Sequence, residues 1–316
     1  MEKKIPVIID TDPGIDDAVA LMVAFTLEEL DIKAVITVAG NVGIEKVTAN
    51  ARTVLSTLGV KSKIYKGARR PLLGKEVIEA PEAHGVSGLG AYSIPAEKFH
   101  PLEAESGLEA YKRILSEAEE PVTIIAVGPL TNIAILLSAY PELKSKIKQI
   151  SVMGGGLYTG NHTPAAEFNI LADPEAAEIV YGSGIPIIMA GLDVTHQANI
   201  YAHHVEEIRA VGTPVSDMIA TILSFYFDNF DGPEKATKCV SMHDTVSVLA
   251  VVYPELFEGE TLHVVVETGG KYCRGYTLAD RRKPGFKKEE PNCLVLMKLD
   301  TERVIGKIIE AVKSYA

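Results

Sequence analysis

The feature that most constrains the fold is a recurring order of short apolar run, polar turn and helical stretch. Each apolar run is short enough to be a buried strand, and several precede residues with the apolar spacing of a helix. Strands that alternate with helices predict βαβ units, right-handed crossovers and a mostly parallel sheet. The sequence therefore predicts an α/β fold with a central sheet flanked by helices. The apolar runs cover residues 5–9, 32–38, 122–127, 149–153 and 187–193.

The parallel order also predicts where a functional site lies. Ligands of open α/β sheets bind outside the carboxyl ends of the strands. Residues that are distant in sequence are brought to that one edge by the fold. We therefore expect a Rossmann-like domain whose active site lies at the C-terminal edge of the strands. The residues at the ends of predicted strands are Asp12, Asn41, Val127, Met153 and Asp193.

The turn after the first predicted strand carries four carboxylates, at Asp10, Asp12, Asp16 and Asp17. A Pro-Gly pair lies between them, so the side chains of Asp12, Asp16 and Asp17 can converge on one point. Like charges this close repel strongly unless a cation lies among them, and oxygen ligands suit calcium or magnesium. Helix capping would account for Asp16 and Asp17, since first-turn acids complement the helix dipole. Capping does not account for four acids, and the motif predicts a divalent-cation site.

Composition narrows the class of protein and its partners. The 316 residues are 47% hydrophobic and show no compositional break, so we expect a single domain over residues 1–316. The formal charge of −11 argues against a nucleic-acid partner, because phosphate binding needs a basic surface. No apolar run reaches the roughly 18 residues of a membrane span, and no signal-peptide region precedes the first strand. Cys239, Cys273 and Cys293 are widely spaced, which fits reduced thiols and a cytoplasmic protein without a membrane partner.

A second polar group consists of Asn161, Glu167 and Asn169. If this stretch is extended, alternation places Glu167 and Asn169 on the same side, with Phe168 opposite or forming a wall. Amides and carboxylates together offer donors and acceptors to hydroxyl groups, so a polyol such as a sugar is the natural ligand. A loop held by asparagine side-chain turns would explain the same residues.

His243 and Asp244 stand together at the start of a predicted helix. An isolated His-Asp pair is more often structural than catalytic, but its position at a helix start favours both side chains facing a cleft. Asp244 would supply another carboxylate to the cation. His243 would be the proton donor, since a histidine needs only a small pKa shift to work near neutral pH.

Several short motifs follow one another in a characteristic order. They are Asp-Thr-Asp-Pro-Gly-Ile-Asp-Asp at 10–17, Gly-Asn at 40–41, His-Gly at 84–85, Ser-Gly-Leu at 87–89, Gly at 128 with Leu-Thr-Asn at 130–132, Met-Gly-Gly at 153–155, Ala-Glu-Phe-Asn at 166–169, Asp-Val-Thr-His at 193–196 and His-Asp at 243–244. In these motifs the chain resembles the inosine-uridine-preferring nucleoside hydrolases, which are calcium-dependent N-ribohydrolases. The opening motif alone is highly specific, and the chain length suits a single family domain.

The resemblance implies an enzyme of nucleoside salvage that hydrolyses ribonucleosides to ribose and free base, with a Ca²⁺ cofactor. Asp12 would bind calcium and take a proton from the attacking water, while Asp10 would support the cluster from behind. His243 would be the acid for the leaving base. The other calcium ligands would be Asp17, Asp244 and the backbone carbonyl of Val127. The residues around the ribose would be Asp16, Asn41, Met153, Asn161, Glu167 and Asn169. The resemblance also suggests a homodimer or homotetramer.

The chemistry of this reaction agrees with the residue types. Cleavage of an N-glycosidic bond builds positive charge on the ribosyl ring, and nearby carboxylates stabilise that charge. A bound cation lowers the pKa of water. Calcium suits the site better than magnesium, because it accepts more oxygen ligands at variable angles and can add two sugar hydroxyls.

The contacts of the leaving base are the least determined part of the site. Most aromatic candidates have helical spacing and fit a core position better. Tyr226 is the preferred exception, because its hydroxyl needs a polar partner if it is buried. His84 and His196 are further candidates, and residues 83–90 form either a lid or an ordinary surface excursion. The other aromatic candidates are Phe225, Phe227, Phe230, Tyr272 and Tyr276.

Two other functions remain open from the residues alone. A magnesium-dependent phosphohydrolase of the haloacid dehalogenase type also places Asp-x-Asp after a buried strand, but it usually has a threonine shortly afterwards, where this chain has Pro13 and Gly14. A non-catalytic nucleoside- or ribose-binding protein would hold the ligand without turnover. The preference for purine or pyrimidine bases is open as well.

Overall fold

The computed structural model describes residues 3–74, 77–229, 239–283 and 285–316. Strands come at intervals along the whole of this chain. They are β1 (Ile5–Thr11), β2 (Leu30–Thr37), β3 (Ile64–Lys66), β4 (Val122–Ala126), β5 (Ile147–Met153), β6 (Ile187–Ala190), β7 (Asn199–Tyr201), β8 (Cys239–Ser241), β9 (Phe257–Leu262), β10 (Val264–Val266), β11 (Thr277–Ala279) and β12 (Cys293–Leu299).

One eight-stranded sheet forms the centre of the molecule, in the order β3-β2-β1-β4-β5-β6-β12-β9. Its neighbours pair in parallel, except that β9 runs antiparallel to β12. The pairs β7–β8 and β10–β11 are separate two-stranded antiparallel sheets. The predicted α/β fold with a mostly parallel central sheet is therefore confirmed.

Helices connect the strands and cover both faces of the sheet. They are α1 (Ile15–Ala24), α2 (Ile44–Leu58), α3 (Pro81–His84), α4 (Gly107–Glu117), α5 (Thr131–Ala139), α6 (Phe168–Ala172), α7 (Pro174–Tyr181), α8 (Leu192–Thr195), α9 (Ala202–Ala210), α10 (Pro214–Asn229), α11 (His243–Val252) and α12 (Thr301–Lys313). Among the described residues, no helix combines the length and the apolar character needed to cross a bilayer.

The core lies in two layers because the central strands are apolar on both sides. Along β1, Val7 and Ile9 belong to one buried cluster and Ile8 to the other, since successive side chains of a strand point to opposite faces. The first cluster is covered by α1, α2, α10, α11 and α12, and the second by α4, α5 and α7. Burial on both faces explains why the strand reads as a continuous apolar run rather than an alternating one.

Several helices begin at the edge of the sheet where the parallel strands have their carboxyl ends. α1 starts directly after β1, and α11 packs against α1. The strand predicted over residues 187–193 ends at Ala190, and Asp193 lies in the short helix α8. The first turns of α1 and α11 lie side by side at this edge, although they are far apart in sequence.

Candidate active site

Three aspartates from the starts of α1 and α11 form a compact acidic group. Asp16, Asp17 and Asp244 each place a carboxylate oxygen so that these atoms lie within 4.8 Å of one another. Burial and the charges of Asp16 and Asp17 raise the pKa of Asp244 well above its ordinary value. Three close carboxylates in this environment must share protons or be neutralised by a cation.

Asp17 is the most firmly held member of the group. Its Oδ1 accepts hydrogen bonds from the Thr11 hydroxyl and from the Asp12 backbone N–H, the latter at 3.2 Å. Its Oδ2 accepts from the Gly14 backbone N–H at 2.8 Å and from Asn41 Nδ2 at 3.0 Å. The bond to Gly14 caps α1, so Asp17 serves as a helix cap as well as a member of the acidic group.

Asp12 lies behind the group and is completely buried. Its Oδ2 accepts from the Asn41 backbone N–H at 2.7 Å, while its Oδ1 has no hydrogen-bond partner among the described residues. A side chain at residue 128 would put a Cβ 2.6 Å from that Oδ1, so Gly128 leaves the space beside it open. Burial, followed by the charge of Asp17, raises the pKa of Asp12 well above its ordinary value. An orphaned carboxylate oxygen among other acids is the arrangement that a hard cation satisfies.

The polar groups at the ends of β4 and β5 are joined by Asn169. Its Nδ2 donates to the carbonyl of Val127 at 3.0 Å and to the carbonyl of Met153 at 3.1 Å. The Val127 N–H donates to the Asp10 carbonyl at 2.8 Å, which ties the end of β4 to β1. The Val127 carbonyl oxygen has two lone pairs and can accept from Asn169 while serving a second partner.

Glu167 and Asn169 are brought together by a helix start and not by an extended strand. Glu167 is the N-cap of α6, and its carboxylate accepts from the backbone N–H groups of Asn169 at 2.9 Å and Ile170 at 3.1 Å. It also accepts from the Gly155 N–H at 2.9 Å. The stretch is therefore not extended, the condition under which alternation would have placed Glu167 and Asn169 on one side, and capping draws the Glu167 side chain back onto its own helix.

Two histidines, His84 and His243, line the cavity. His84 is buried, and its Nδ1 accepts from the Ile15 backbone N–H at 3.1 Å. His243 Nδ1 lies 2.8 Å from the Thr195 hydroxyl. Burial lowers the pKa of His84 to about 4 and that of His243 to about 3. Both rings are therefore neutral near pH 7, and the small pKa shift expected for His243 from the sequence was wrong.

A single cavity joins these elements. It is lined by the predicted residues Asp16, Asn41, His84, Val127, Met153, Asn161, Glu167, Asn169, Tyr226, His243 and Asp244, together with Phe168 and His162. Asp12 and Asp17 are fully buried and lie outside this lining, beneath its acidic end. Asn161 is the most peripheral of the predicted residues; it is exposed, and its Oδ1 accepts from the Phe168 backbone N–H at 2.9 Å.

Comparison with known proteins decides the family. Residues 7–306 match the model of the inosine-uridine preferring nucleoside hydrolases. The chain belongs to that family. It is 41% identical over 313 residues to the pyrimidine-specific ribonucleoside hydrolase RihA of Escherichia coli strain SMS-3-5, which covers 99% of each chain. It is thus an enzyme of the hydrolase class that acts on N-glycosyl compounds.

Solved structures agree with this assignment. The plant nucleoside hydrolase PpNRh1 superposes with a TM-score of 0.89 at 32% identity, covering 98% of this chain and 99% of that chain. The purine-preferring ribonucleoside hydrolase of Gardnerella vaginalis superposes with a TM-score of 0.90 at 27% identity, covering 98% of each chain. The nucleoside hydrolase fold therefore extends over essentially the whole chain.

The other described aromatic candidates of this nucleoside hydrolase do not line the cavity. Tyr272 is 79% exposed, and the Tyr276 hydroxyl donates to the Leu157 carbonyl at 2.9 Å. Phe225 and Phe227 pack against the core, as helical spacing predicts. Phe230 lies outside the described residues. His196 is exposed and does not line the cavity, although its ring centroid lies 5.5 Å from that of His243.

The segment 83–90 of the hydrolase is attached to the body of the protein. Asn50 Nδ2 donates to the carbonyl of Ser87 at 2.9 Å and to the carbonyl of Pro13, also at 2.9 Å. Leu89 is buried, and His84 bonds to the start of α1. Gly88 has a φ of +92°, and a Cβ at this position would lie 2.4 Å from Asn50 Nδ2, so a larger residue does not fit there. These contacts hold His84 against the acidic turn.

The side chains that hold Asp10 in place were not predicted from the sequence. Its Oδ2 accepts from the Tyr111 hydroxyl at 2.7 Å and from Asn132 Nδ2 at 3.0 Å. The same Nδ2 donates to the Thr37 carbonyl at 3.1 Å, and Asn132 Oδ1 accepts from the Ala68 N–H at 2.7 Å. Asn132 thus ties together the ends of β1 and β2 and the chain beyond β3. The Leu-Thr-Asn motif at 130–132 was a signal for Asn132, whereas Tyr111 stands in an ordinary amphipathic helix that gives none.

Glu167 provides a pH test of the site. Burial raises its pKa to about 7, so the folded protein holds a proton that the unfolded chain has already released. The free energy of unfolding must therefore fall as pH rises toward 7. Glu167→Gln has no carboxyl group to titrate at this position. Between about pH 5 and pH 7, the free energy of unfolding of the wild type should therefore fall by about 1–2 kcal/mol relative to that of the variant. Urea unfolding measures the difference. Glu178→Gln, on the exposed side of α7, should follow the wild type; parallel curves for wild type and Glu167→Gln would contradict the prediction.

Proposed function

We propose that this chain hydrolyses the N-glycosidic bond of pyrimidine ribonucleosides to ribose and free base, with calcium as its cofactor. The observation that carries the proposal is the convergence of Asp16, Asp17 and Asp244 with the unpartnered Asp12 Oδ1 beside one polar cavity. An acidic group of this kind is suited to a cation, and the amides and carboxylates next to it are suited to sugar hydroxyls.

The residues that would hold calcium are Asp12, Asp17, Asp244 and the backbone carbonyl of Val127. All four offer hard oxygen ligands, and Asp12 Oδ1 is free of other partners among the described residues. Asp16 is the half-buried member of the acidic group and lines the cavity, so we assign it to the ribose. When bound, the cation supplies positive charge that offsets the carboxylates and lowers the pKa of water.

In the proposed reaction, Asp12 takes the proton of the water that attacks the anomeric carbon. A carboxylate is a stronger base when its pKa is raised, and burial raises the pKa of Asp12 well above its ordinary value. The ribosyl ring gains positive charge as the bond to the base breaks, and the nearby carboxylates stabilise it. The ribose is bound by Asp16, Asn41, Met153, Asn161, Glu167 and Asn169.

The leaving base is bound on the histidine side of the cavity. His84 and Tyr226 contact the base, and their rings lie 6.3 Å apart at an interplanar angle of 27°. His243 donates a hydrogen bond or proton to the departing base, whose negative charge raises the basicity of the imidazole beside it. Because neutral imidazole is the resting form, His243 needs an N–H that points into the cavity.

The preference for pyrimidines is supported by the relatives. A relative that is 41% identical over 99% of both chains is named a pyrimidine-specific hydrolase, whereas the purine-preferring enzyme of Gardnerella vaginalis is 27% identical. Substrate preference within a family follows the residues around the base, and higher identity makes shared pocket residues more common. Uridine and cytidine are therefore the first substrates to test.

Further parts of the proposal concern the state of the enzyme in the cell. We infer one functional domain over residues 1–316, since the central sheet takes strands from β1 to β12. The cysteines at 239, 273 and 293 form no disulfides, which supports a reducing cytoplasmic location and a role in nucleoside salvage. We expect a homodimer or homotetramer, which light scattering of the purified protein measures.

A panel of nucleosides tests this function. Purified protein is incubated with uridine, cytidine, inosine and adenosine, with and without a chelator, and released ribose is measured. Uridine and cytidine should be cleaved at least about 10-fold faster than the purine nucleosides, on the scale of a pocket contact. Chelation should abolish turnover, and added Ca²⁺ should restore it more fully than Mg²⁺.

The panel also separates the alternatives. Nitrophenyl phosphate should not be hydrolysed, and its turnover would favour the phosphohydrolase of the haloacid dehalogenase type. Binding of intact uridine without ribose release would favour a binding protein. Turnover that persists in excess chelator would contradict the role assigned to calcium.

A further inference from the structure

Thr195 lies behind His243 and is completely buried. Its hydroxyl is 2.8 Å from His243 Nδ1, a distance at which one of the two groups donates a hydrogen bond to the other. Among the described residues, the Thr195 hydroxyl has no second hydrogen-bond partner. The His243 side chain, by contrast, lines the cavity.

Counting donors and acceptors assigns the proton. If Nδ1–H donated to the hydroxyl, the hydroxyl hydrogen would be buried without an acceptor, which costs free energy. If the hydroxyl donates to Nδ1, both groups are satisfied and the ring proton lies on Nε2. The buried hydroxyl therefore selects the tautomer with Nε2–H, the nitrogen that is left for the cavity.

The backbone fixes the distance between the two residues. β7 and β8 pair with Asn199 opposite Ser241, and the Met242 N–H donates to the Ala198 carbonyl at 2.8 Å. The segment after Thr195 is thus joined to the segment before His243. The start of α8 is joined to the segment that follows β5 by the Leu192 N–H, which donates to the Gly155 carbonyl at 2.8 Å. The Thr195 hydroxyl is held by rigid elements on both sides.

We propose that Thr195 is a positioning residue, which holds His243 in the tautomer and orientation that present Nε2–H to the leaving base. This inference rests on the proposed function and names a residue that acts through His243. His84 provides an internal parallel, because a backbone N–H can only donate and the Ile15 N–H therefore places the His84 proton on Nε2 as well. Two neutral N–H donors then face the base side of the cavity, which suits a base that carries carbonyl acceptors.

The kinetic test uses Thr195→Val, which keeps the branched shape and removes the hydroxyl, with Thr195→Ser as the matched control. For uridine, Thr195→Val should lower kcat by about 10- to 100-fold, the scale found when a group that orients a histidine is removed. A nitrophenyl riboside, whose leaving group needs no proton, should lose less than about 3-fold. Thr195→Ser should restore uridine turnover to within about 3-fold of the wild type. In a His243→Ala background, Thr195→Val should cause no further loss.

Equal losses on both substrates, or losses that add to those of His243→Ala, would overturn the positioning role and indicate a general packing effect. Nitrogen-15 NMR of the calcium-loaded protein reads the tautomer directly, with the His243 signals assigned from His243→Ala. We expect Nε2–H in the wild type and a mixture of tautomers in Thr195→Val; an Nδ1–H form in the wild type would also overturn the inference. If no nucleoside is cleaved by the wild type, the proposed function fails, while the NMR result still decides what Thr195 does.

Discussion

Replacing Asp12 with asparagine is expected to lower kcat for uridine by about 1,000-fold or more, because it removes both the base and a calcium ligand. The fold should be retained. An asparagine oxygen can still accept from the Asn41 backbone N–H, and the repulsion of Asp17 is lost. Ribose release measures the loss of kcat. Thermal unfolding in chelator tests whether the fold is retained, and the melting temperature should be equal to or higher than that of the wild type.

Asp173→Asn is the matched control for this variant. Asp173 is equally buried and accepts from the Thr131 hydroxyl at 2.7 Å, the Leu72 N–H at 2.8 Å and the Ala176 N–H at 3.2 Å. It caps α7 and lies outside the acidic group. Its replacement should destabilise the protein by about 1 kcal/mol and leave kcat within about 3-fold. Near-normal turnover by Asp12→Asn would contradict the proposed mechanism.

His243→Ala is expected to produce the second large effect, a loss of about 100- to 1,000-fold in kcat for uridine, which is the scale of general acid catalysis. With a nitrophenyl riboside the loss should be less than about 10-fold, because that leaving group departs without a proton. The ratio of the two losses measures assistance to the leaving base. Comparable losses with the two substrates would remove His243 from this role.

His203→Ala is a suitable control, since His203 is exposed on α9 and does not line the cavity. It should behave as the wild type with both substrates. A loss of stability in His243→Ala is separated from a loss of catalysis by comparing the melting temperatures of the two histidine variants with and without calcium.

The sequence-based predictions agree best with the structure where a short segment of the chain determines its own conformation. The strand, acidic turn and helix at residues 5–24 are defined locally by apolar runs and by the Pro-Gly pair, so their order and the grouping of their acids could be predicted, although β1 continues to Thr11, beyond the predicted run at 5–9. Agreement fails at Glu167. A carboxylate at a helix N-cap folds back onto backbone N–H groups, and this local choice depends on whether the next residues form a helix.

The site shows the same division. Short motifs indicated Asp12, Asp17 and Asp244, because carboxylates grouped in a turn or at a helix start are visible in the sequence. They could not indicate that Asp12 Oδ1 lacks a partner or that Tyr111 binds Asp10 across 101 positions. Nor could they separate His196, which is exposed, from His243, which lines the cavity.

The sequence by itself determined the family, the parallel α/β architecture and the identity of the acids, since these follow from residue types at short spacing. Only the tertiary structure decided which polar groups remain without partners, which residues are buried and which nitrogen of His243 lies against another side chain. These properties depend on contacts between segments that are distant in the chain, such as Thr195 with His243. The free energy of a charge or a hydrogen bond depends on its surroundings, and the fold supplies those surroundings.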